Sequence, residues 1–344
     1  MTTDGHIRVE WVASCLLCGK QGKELYAGLR DRLFGAPGVW GFMRCPECGL
    51  VWLNPRPLPE DLHQVYATYF THDAEERPSR LTSWREKTEL AVCAAAPGYE
   101  ALAKGWGWKL LGRALSLLPP FREVGRLGTM CLNGGRKGKL LDVGCGNGRF
   151  LSLMRDAGWE VTGVESDPAA AKLARERFGI RVITGTLPEA RLGDESFDAV
   201  TLSHVIEHVY DPVGLLSDCH RVLKPAGRLV VVTPNVQSLA HHLFRDSWRD
   251  LDPPRHLCVF ALDTLTTCSQ RAGLQIDVMR TSARMARGIF TVSRVIQRKG
   301  VFSYSDVTLL AKLRGLVFRA REEMALRASA PVGEELLMIG SRTA

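Results

Sequence analysis

"KLLDVGCGNGRFL" (139–151) runs an apolar stretch into Asp142 and then sets Gly144, Gly146 and Gly148 at alternate positions. The apolar run reads as a buried strand, and the residues from 148 onward as the helix that follows it. A dinucleotide turn spaces its glycines Gly-x-Gly-x-x-Gly, which leaves a helix N-terminus open to pyrophosphate. The tighter spacing here lays bare backbone under a ligand at three alternate positions and suits a nucleoside that carries no phosphate. Asp142 offers a carboxylate to a cationic group such as an α-ammonium. Glu165 in "VTGVESDP" (161–168) stands 17 residues beyond Gly148, where a second carboxylate takes ribose hydroxyls.

Outward from this turn, short apolar strands alternate with helices. "WEVTGV", "RVIT", "FDAVTL" and "RLVVVT" are separated by helical stretches near 148–157, 168–178 and 213–222, and "QIDVMR" and "ELLMIGS" read as two late strands. Asp167-Pro168 and Asp211-Pro212 mark helix starts, with the aspartate capping free amides and the proline in the first turn. The alternation predicts an α/β fold with a parallel sheet covered on both faces. Residues 282–332 interrupt it as a basic, largely helical insertion in which Leu309, Leu313, Leu316, Ala320 and Met324 share one face. That face suits a core or dimer helix, a lid over an acceptor, or a lipid-linked substrate.

The first 55 residues differ in kind. "CLLCGK" and "CPECGL" supply Cys15, Cys18, Cys45 and Cys48 as two Cys-x-x-Cys-Gly knuckles, 26 residues apart. Four thiolates leave no open coordination position, so the pattern predicts a closed, structural Zn²⁺ site in a segment too small to fold alone. The sequence therefore divides into a zinc ribbon (10–55), a helical connector (56–135) and an α/β domain (136–344). In the connector, "PEDLHQVYATYF" begins as helices do, and Leu111, Leu115 and Leu118 form a helical stripe that packs inward or lies on a membrane surface. "NGGRKGK" lacks the order of a phosphate loop and reads as a linker.

Composition sets outer bounds. The 344 residues are 45% hydrophobic and 24% charged, as in ordinary globular proteins. No apolar run is long enough for a transmembrane segment and the N-terminus lacks a secretory layout, so a cytoplasmic protein is expected. A net charge of +8 is mild for this length and disfavours a polyanion-binding role without excluding nucleic acid.

"LLDVGCGNGRFL", "VTGVESDPAAAKLA", "FDAVTLSHVIEHVYDP" and "VLKPAGRLVVVTPN" resemble, in order, the motifs of class I S-adenosylmethionine-dependent methyltransferases over roughly residues 136–280 plus the last strand. The resemblance implies a Rossmann-like seven-stranded sheet with one antiparallel strand near its edge, and S-adenosyl-L-methionine as cofactor. It places Asp142, Gly144, Gly146 and Glu165 at cofactor-contacting positions and Thr186 near the adenine. "CPECGLVWLNPRP" and "WRDLDPPRHLCVFALDTL" are also similar to a bacterial subgroup in which a zinc ribbon precedes the methyltransferase domain, common among enzymes of glycans and secondary metabolites.

Methyl transfer from a sulfonium is an in-line displacement, so alignment of the acceptor is the main requirement. A hydroxyl acceptor also wants a base, and histidine titrates in the right range. His204 and His208 after the fourth strand, and His256 after the fifth, lie where loops leave the ligand-binding edge. His204-Val-Ile-Glu207-His208 also spells a zinc-peptidase signature, which requires a helix rather than a strand exit. The stretch resembles quinone-biosynthesis O-methyltransferases too, which carry Glu-x-x-Glu-His there with a metal proposed to orient a catechol; His204 replaces the first glutamate. Arg255 and His256 suit either an anionic or sugar-like acceptor or a brace for their own loop, and Cys258 is a candidate methyl-accepting thiol without a supporting motif. Asp252-Pro253-Pro254 follows the wrong strand for an amino-group methyltransferase. The leading expectation is O-methylation of a small molecule or glycan. The competing ones are an RNA methyltransferase using the ribbon to bind substrate, and a cofactor-binding scaffold without catalysis. Oligomeric state is open.

Overall fold

The computed structural model describes residues 7–66 and 80–342. Seven strands form one sheet: β1 (Lys139–Val143), β2 (Glu160–Glu165), β3 (Val182–Thr184), β4 (Phe197–Ser203), β5 (Leu223–Pro234), β6 (Leu274–Ser282) and β7 (Glu335–Arg342). Their spatial order is β6-β7-β5-β4-β1-β2-β3. Strands β1 to β5 run parallel, and β7 is antiparallel to both its neighbours. This is the expected Rossmann-like seven-stranded sheet with one antiparallel strand near its edge. Its central strands are buried on both faces, as Leu140, Leu141, Val200, Leu202, Val230 and Val231 show, which explains why they read as near-continuous apolar runs.

Helices Arg149–Asp156, Pro168–Phe178 and Pro212–Val222 connect the parallel strands. The two Asp-Pro starts are caps: Asp167 accepts from the Ala169 amide and Asp211 from the Gly214 amide, each at 2.8 Å. Every parallel strand therefore ends on the same edge, where residues 144, 165, 204 and 235 emerge together.

The N-terminal segment builds a second sheet from Lys23–Leu29, Trp40–Arg44 and Val51–Leu53, and its fourth strand is Cys258–Val259, contributed by the α/β domain. Trp52 is buried in one cluster with Leu141, Val200 and Val231, so ribbon and domain share a core.

Two helical regions depart from the sequence reading. In the connector, helices Arg80–Cys93, Trp106–Ser116 and Pro119–Gly128 pack together, but Leu111 and Leu118 of the leucine stripe are exposed. The contact is made by Gly112, where an added Cβ would lie 1.9 Å from the Ala91 carbonyl oxygen. Of "PEDLHQVYATYF", Pro59–Asp61 and Leu62–Val65 form short helical turns, and 67–70 lie outside the described residues. In the 282–332 insertion, helices Ala286–Lys299 and Leu309–Arg327 form an antiparallel pair. The second buries Gly315, Phe318 and Glu322, while Leu309, Leu313, Leu316 and Met324 face outward, so the core reading of that stripe is corrected. Gly315 allows the close approach to Arg287 and Thr291 that sets the buried face. Among the described residues no helix is long and apolar enough to cross a membrane.

Candidate functional site

The turn after β1 is closed by the amides of Gly144 and Cys145 donating to the Val164 carbonyl at 2.8 and 3.2 Å. Gly144, Gly146 and Gly148 all have positive φ, at +70°, +54° and +78°, but they are bare for different reasons. A Cβ on Gly144 would lie 2.5 Å from Val205, and one on Gly148 would lie 2.7 Å from Ala174. Only at Gly146 would it meet nothing within 4 Å. The expectation of three ligand-facing glycines thus reduces to one; the other two let β4's exit loop and the second helix pack close.

The two expected acids flank this opening. Glu165 accepts from the Gly146 amide at 2.7 Å and from the Asp167 amide at 2.8 Å, which ties the end of β2 to the turn. Asp142 is buried and accepts from the Thr201 hydroxyl at 2.6 Å. Burial pushes its carboxyl up to about 7, with Glu165 adding to the effect and Thr201 opposing it. Thr186 follows β3 on an exposed turn, and its amide and hydroxyl both donate to Glu189 at 2.8 Å.

The three histidines gather on the neighbouring side of the same edge but differ in charge. His204, at φ +56°, lies between two buried carboxylates, with Nδ1 3.2 Å from Glu207 and Nε2 3.1 Å from Glu335. Burial alone would lower its pKa, but the two carboxylates outweigh it and raise the imidazole to about 10. His204 is therefore a cation at neutral pH with no lone pair to accept a proton, which argues against the base role given to it from sequence.

His208 is the opposite. Burial, with the neighbouring His256 adding to it, pushes it down to about 4. Its Nδ1 lies 3.0 Å from the Arg255 carbonyl and 3.0 Å from the Tyr66 hydroxyl. A carbonyl only accepts, so Nδ1 carries the hydrogen and Nε2 keeps the lone pair. His256 is fixed in the same tautomer by the Asp250 carbonyl at 2.7 Å, and the two rings meet edge to face at 4.8 Å. Glu207, His208 and His256 bring ligand atoms within 4.8 Å of one another, a set able to hold a divalent ion. Glu207, however, already balances the His204 cation, which disfavours a second positive charge beside it. The peptidase reading ends here as well, because Ile206–His208 is a single 3-10 turn.

Arg255 is a brace. Fully buried, it forms paired hydrogen bonds to Asp31 of the ribbon at 2.9 Å and to Asp252 at 2.6 to 3.1 Å, so it holds no free face for an acceptor. Cys258 is buried in the strand beside Trp52, and burial raises its thiol, which removes it as a nucleophile.

The four ribbon thiols converge as the knuckles require. Cys15 and Cys48 are 3.4 Å apart, Cys18 and Cys45 3.3 Å, and all four sulfurs lie within 4.8 Å of one another. Four sulfurs at about 2.3 Å from one ion would be roughly 3.8 Å apart, so the cluster fits a tetrahedral Zn²⁺. The Leu17 and Cys48 amides point at Cys15 and Cys45 sulfurs, at 3.4 and 3.5 Å, as donors to thiolates do.

Sequence reading missed Tyr66, Thr201, Arg284 and Glu335. One signal was present: Glu334-Glu335 leads directly into the apolar run Leu336–Gly340, and two acids entering a core need partners.

A family model for a methyltransferase domain matches residues 115–277. A probable S-adenosylmethionine-dependent methyltransferase of Mycolicibacterium smegmatis is 38% identical over 97 residues, covering 28% of this chain and 38% of that protein. A ubiquinone biosynthesis O-methyltransferase of Alkalilimnicola ehrlichii is 32% identical over 147 residues, covering 40% and 58%. The chain thus spans 38% to 58% of the length of these two relatives. Among solved structures, an S-adenosylmethionine-dependent methyltransferase of Thermotoga maritima, described as a possible histamine N-methyltransferase, is 21% identical with a TM-score of 0.43, covering 63% of this chain and 89% of that one.

Proposed function

We propose that this chain, whose residues 115–277 match a methyltransferase-domain model, is a class I S-adenosylmethionine-dependent methyltransferase that methylates an oxygen of a small molecule or glycan. The observation that carries the reading is the open space over Gly146 beside the buried carboxylates of Asp142 and Glu165. S-Adenosylmethionine, when bound, supplies an electrophilic methyl group on a sulfonium. Glu165 is placed to take ribose hydroxyls, because its oxygens lie at the turn itself. Asp142 gains charge from a cationic neighbour, since an ammonium counteracts the burial that holds its proton. Gly144 fits the turn against Val205, and Thr186 borders the adenine side.

On the acceptor side, His208 and His256 keep lone pairs on Nε2 and are the base candidates. His204 acts instead as a fixed cation that keeps Glu207 ionised and, with Arg284, Glu335. The ribbon cysteines, Cys15, Cys18, Cys45 and Cys48, hold structural zinc that shapes the wall behind this loop. In this reading residues 10–55, 56–135 and 136–344 serve as ribbon, connector and catalytic domain.

Incubation of the full chain with methyl-labelled S-adenosylmethionine and fractionated metabolites, followed by identification of the labelled product, tests the assignment. An O-methyl ether in a low-molecular-mass fraction is expected. Label confined to RNA, or cofactor binding without transfer to any fraction, overturns it.

A further inference from the structure

On the same sheet edge as the histidines, the helix Pro119–Gly128, the end of β6 and the helix Leu309–Arg327 enclose an open groove of about 560 Å³, a size that suits a small-molecule ligand. Six arginines line it: Arg122, Arg126, Arg280, Arg284, Arg319 and Arg327, against the two carboxylates Glu123 and Glu323. Three of the arginines are committed. Arg280 forms a bidentate pair with Glu123 at 2.7 and 3.1 Å, Arg319 bonds Glu323 at 2.8 Å, and Arg284 bonds Glu335 at 2.7 and 3.2 Å. Arg122, Arg126 and Arg327 are exposed and make no ion pair among the described residues. Arg126 and Arg327 fall in last helical turns, where the helix dipole favours a cation, but Arg122 sits in a first turn, where the dipole opposes it. Local helix energetics therefore account for two of the three cations but not for Arg122.

The groove and the turn after β1 open on the same sheet edge, four strand positions apart, and a chain of contacts links them. Arg284 on its floor shares Glu335 with His204, and the next residue, Val205, packs on Gly144.

From this geometry we infer that the groove binds the phosphoryl end of the methyl acceptor, most simply a diphosphate, and presents the rest of that molecule to the His208 side. Guanidinium forks match phosphate oxygens in paired geometry, and three uncompensated cations suit a group with two or more negative charges. The inference rests on the methyl-transfer reading for the word acceptor, but anion binding itself does not.

Inorganic pyrophosphate titrated into the full chain without S-adenosylmethionine tests it. Saturable binding is expected, weakened about tenfold or more in the Arg122→Ala, Arg126→Ala, Arg327→Ala triple variant and partly restored by lysines at the three positions. No saturable binding at millimolar pyrophosphate, or equal binding by wild type and the folded triple variant, overturns the inference. Competition by uridine diphosphate assigns a soluble acceptor, and retention on phosphatidate-containing vesicles that pyrophosphate displaces assigns a lipid one. S-Adenosylmethionine binding, measured in parallel, separates the two readings: its absence sinks methyl transfer, and its presence with no pyrophosphate binding sinks the groove.

Discussion

The donor turn and the histidine loop sit on one sheet edge but are built by opposite means. The turn is local: Asp142, Gly146 and Glu165 fall within 24 consecutive residues, and its bonds join adjacent strand ends. The histidine loop is assembled from residues 66, 204–208, 250–256, 284 and 335, tied by buried charges whose partners are far apart in sequence. One region tolerates change poorly at three positive-φ glycines, the other wherever a charge loses its partner.

The comparison can be broken most sharply at Gly146. Gly146→Arg is expected to abolish S-adenosylmethionine binding in calorimetry while lowering the thermal midpoint by only a few degrees, because the new side chain enters open space and the cost is the ~1–2 kcal/mol of a positive φ. Undiminished affinity would place the donor elsewhere. Next is Arg255→Ala, which strands Asp31 and Asp252 in a dry interior and should cost about 3–5 kcal/mol in denaturant unfolding. A surface-sized effect would show that the ribbon docks without this brace. Thr201→Val removes the hydroxyl that Asp142 accepts and should weaken donor binding by about 1–2 kcal/mol, with little effect on pyrophosphate.

The smallest effects come from pH and separate the two neighbouring histidines. His204 is raised to about 10, so the native state holds an extra proton between its unfolded value near 6.5 and 10, and stability falls as pH rises through that window. His208 is lowered to about 4, so the unfolded state binds the extra proton and stability falls as pH drops from 6.5 toward 4. His204→Gln should flatten the alkaline limb of an unfolding-versus-pH curve, and His208→Gln the acid limb. Flattening of the same limb by both would refute the opposite charges assigned to them.

What the sequence disclosed follows the same division. The sheet, the two Asp-Pro caps, the knuckles and the placing of Asp142 and Glu165 on adjacent strands were legible, because each is set by spacing over a few residues. The differing reasons for Gly144, Gly146 and Gly148 were not, since Val205 and Ala174 reach them only after folding. Nor was the charge of His204, which depends on Glu335, 131 positions away. Arg255 read equally as acceptor anchor or brace until Asp31 was placed against it. The leucine stripes misled for a related reason: helix spacing shows that a face exists, and a glycine contact decided which face turned inward.

The strand Cys258–Val259 completes the ribbon's sheet, and this has a consequence for synthesis. The four clustered cysteines all lie between residues 15 and 48, so the set is complete well before that strand is made. The flank of Val51–Leu53 then stays without its backbone partner until some 200 further residues are made, and an unpaired flank of this kind is prone to sticking. A nascent chain stalled before residue 258 should thus lean on chaperones more than one released just after it.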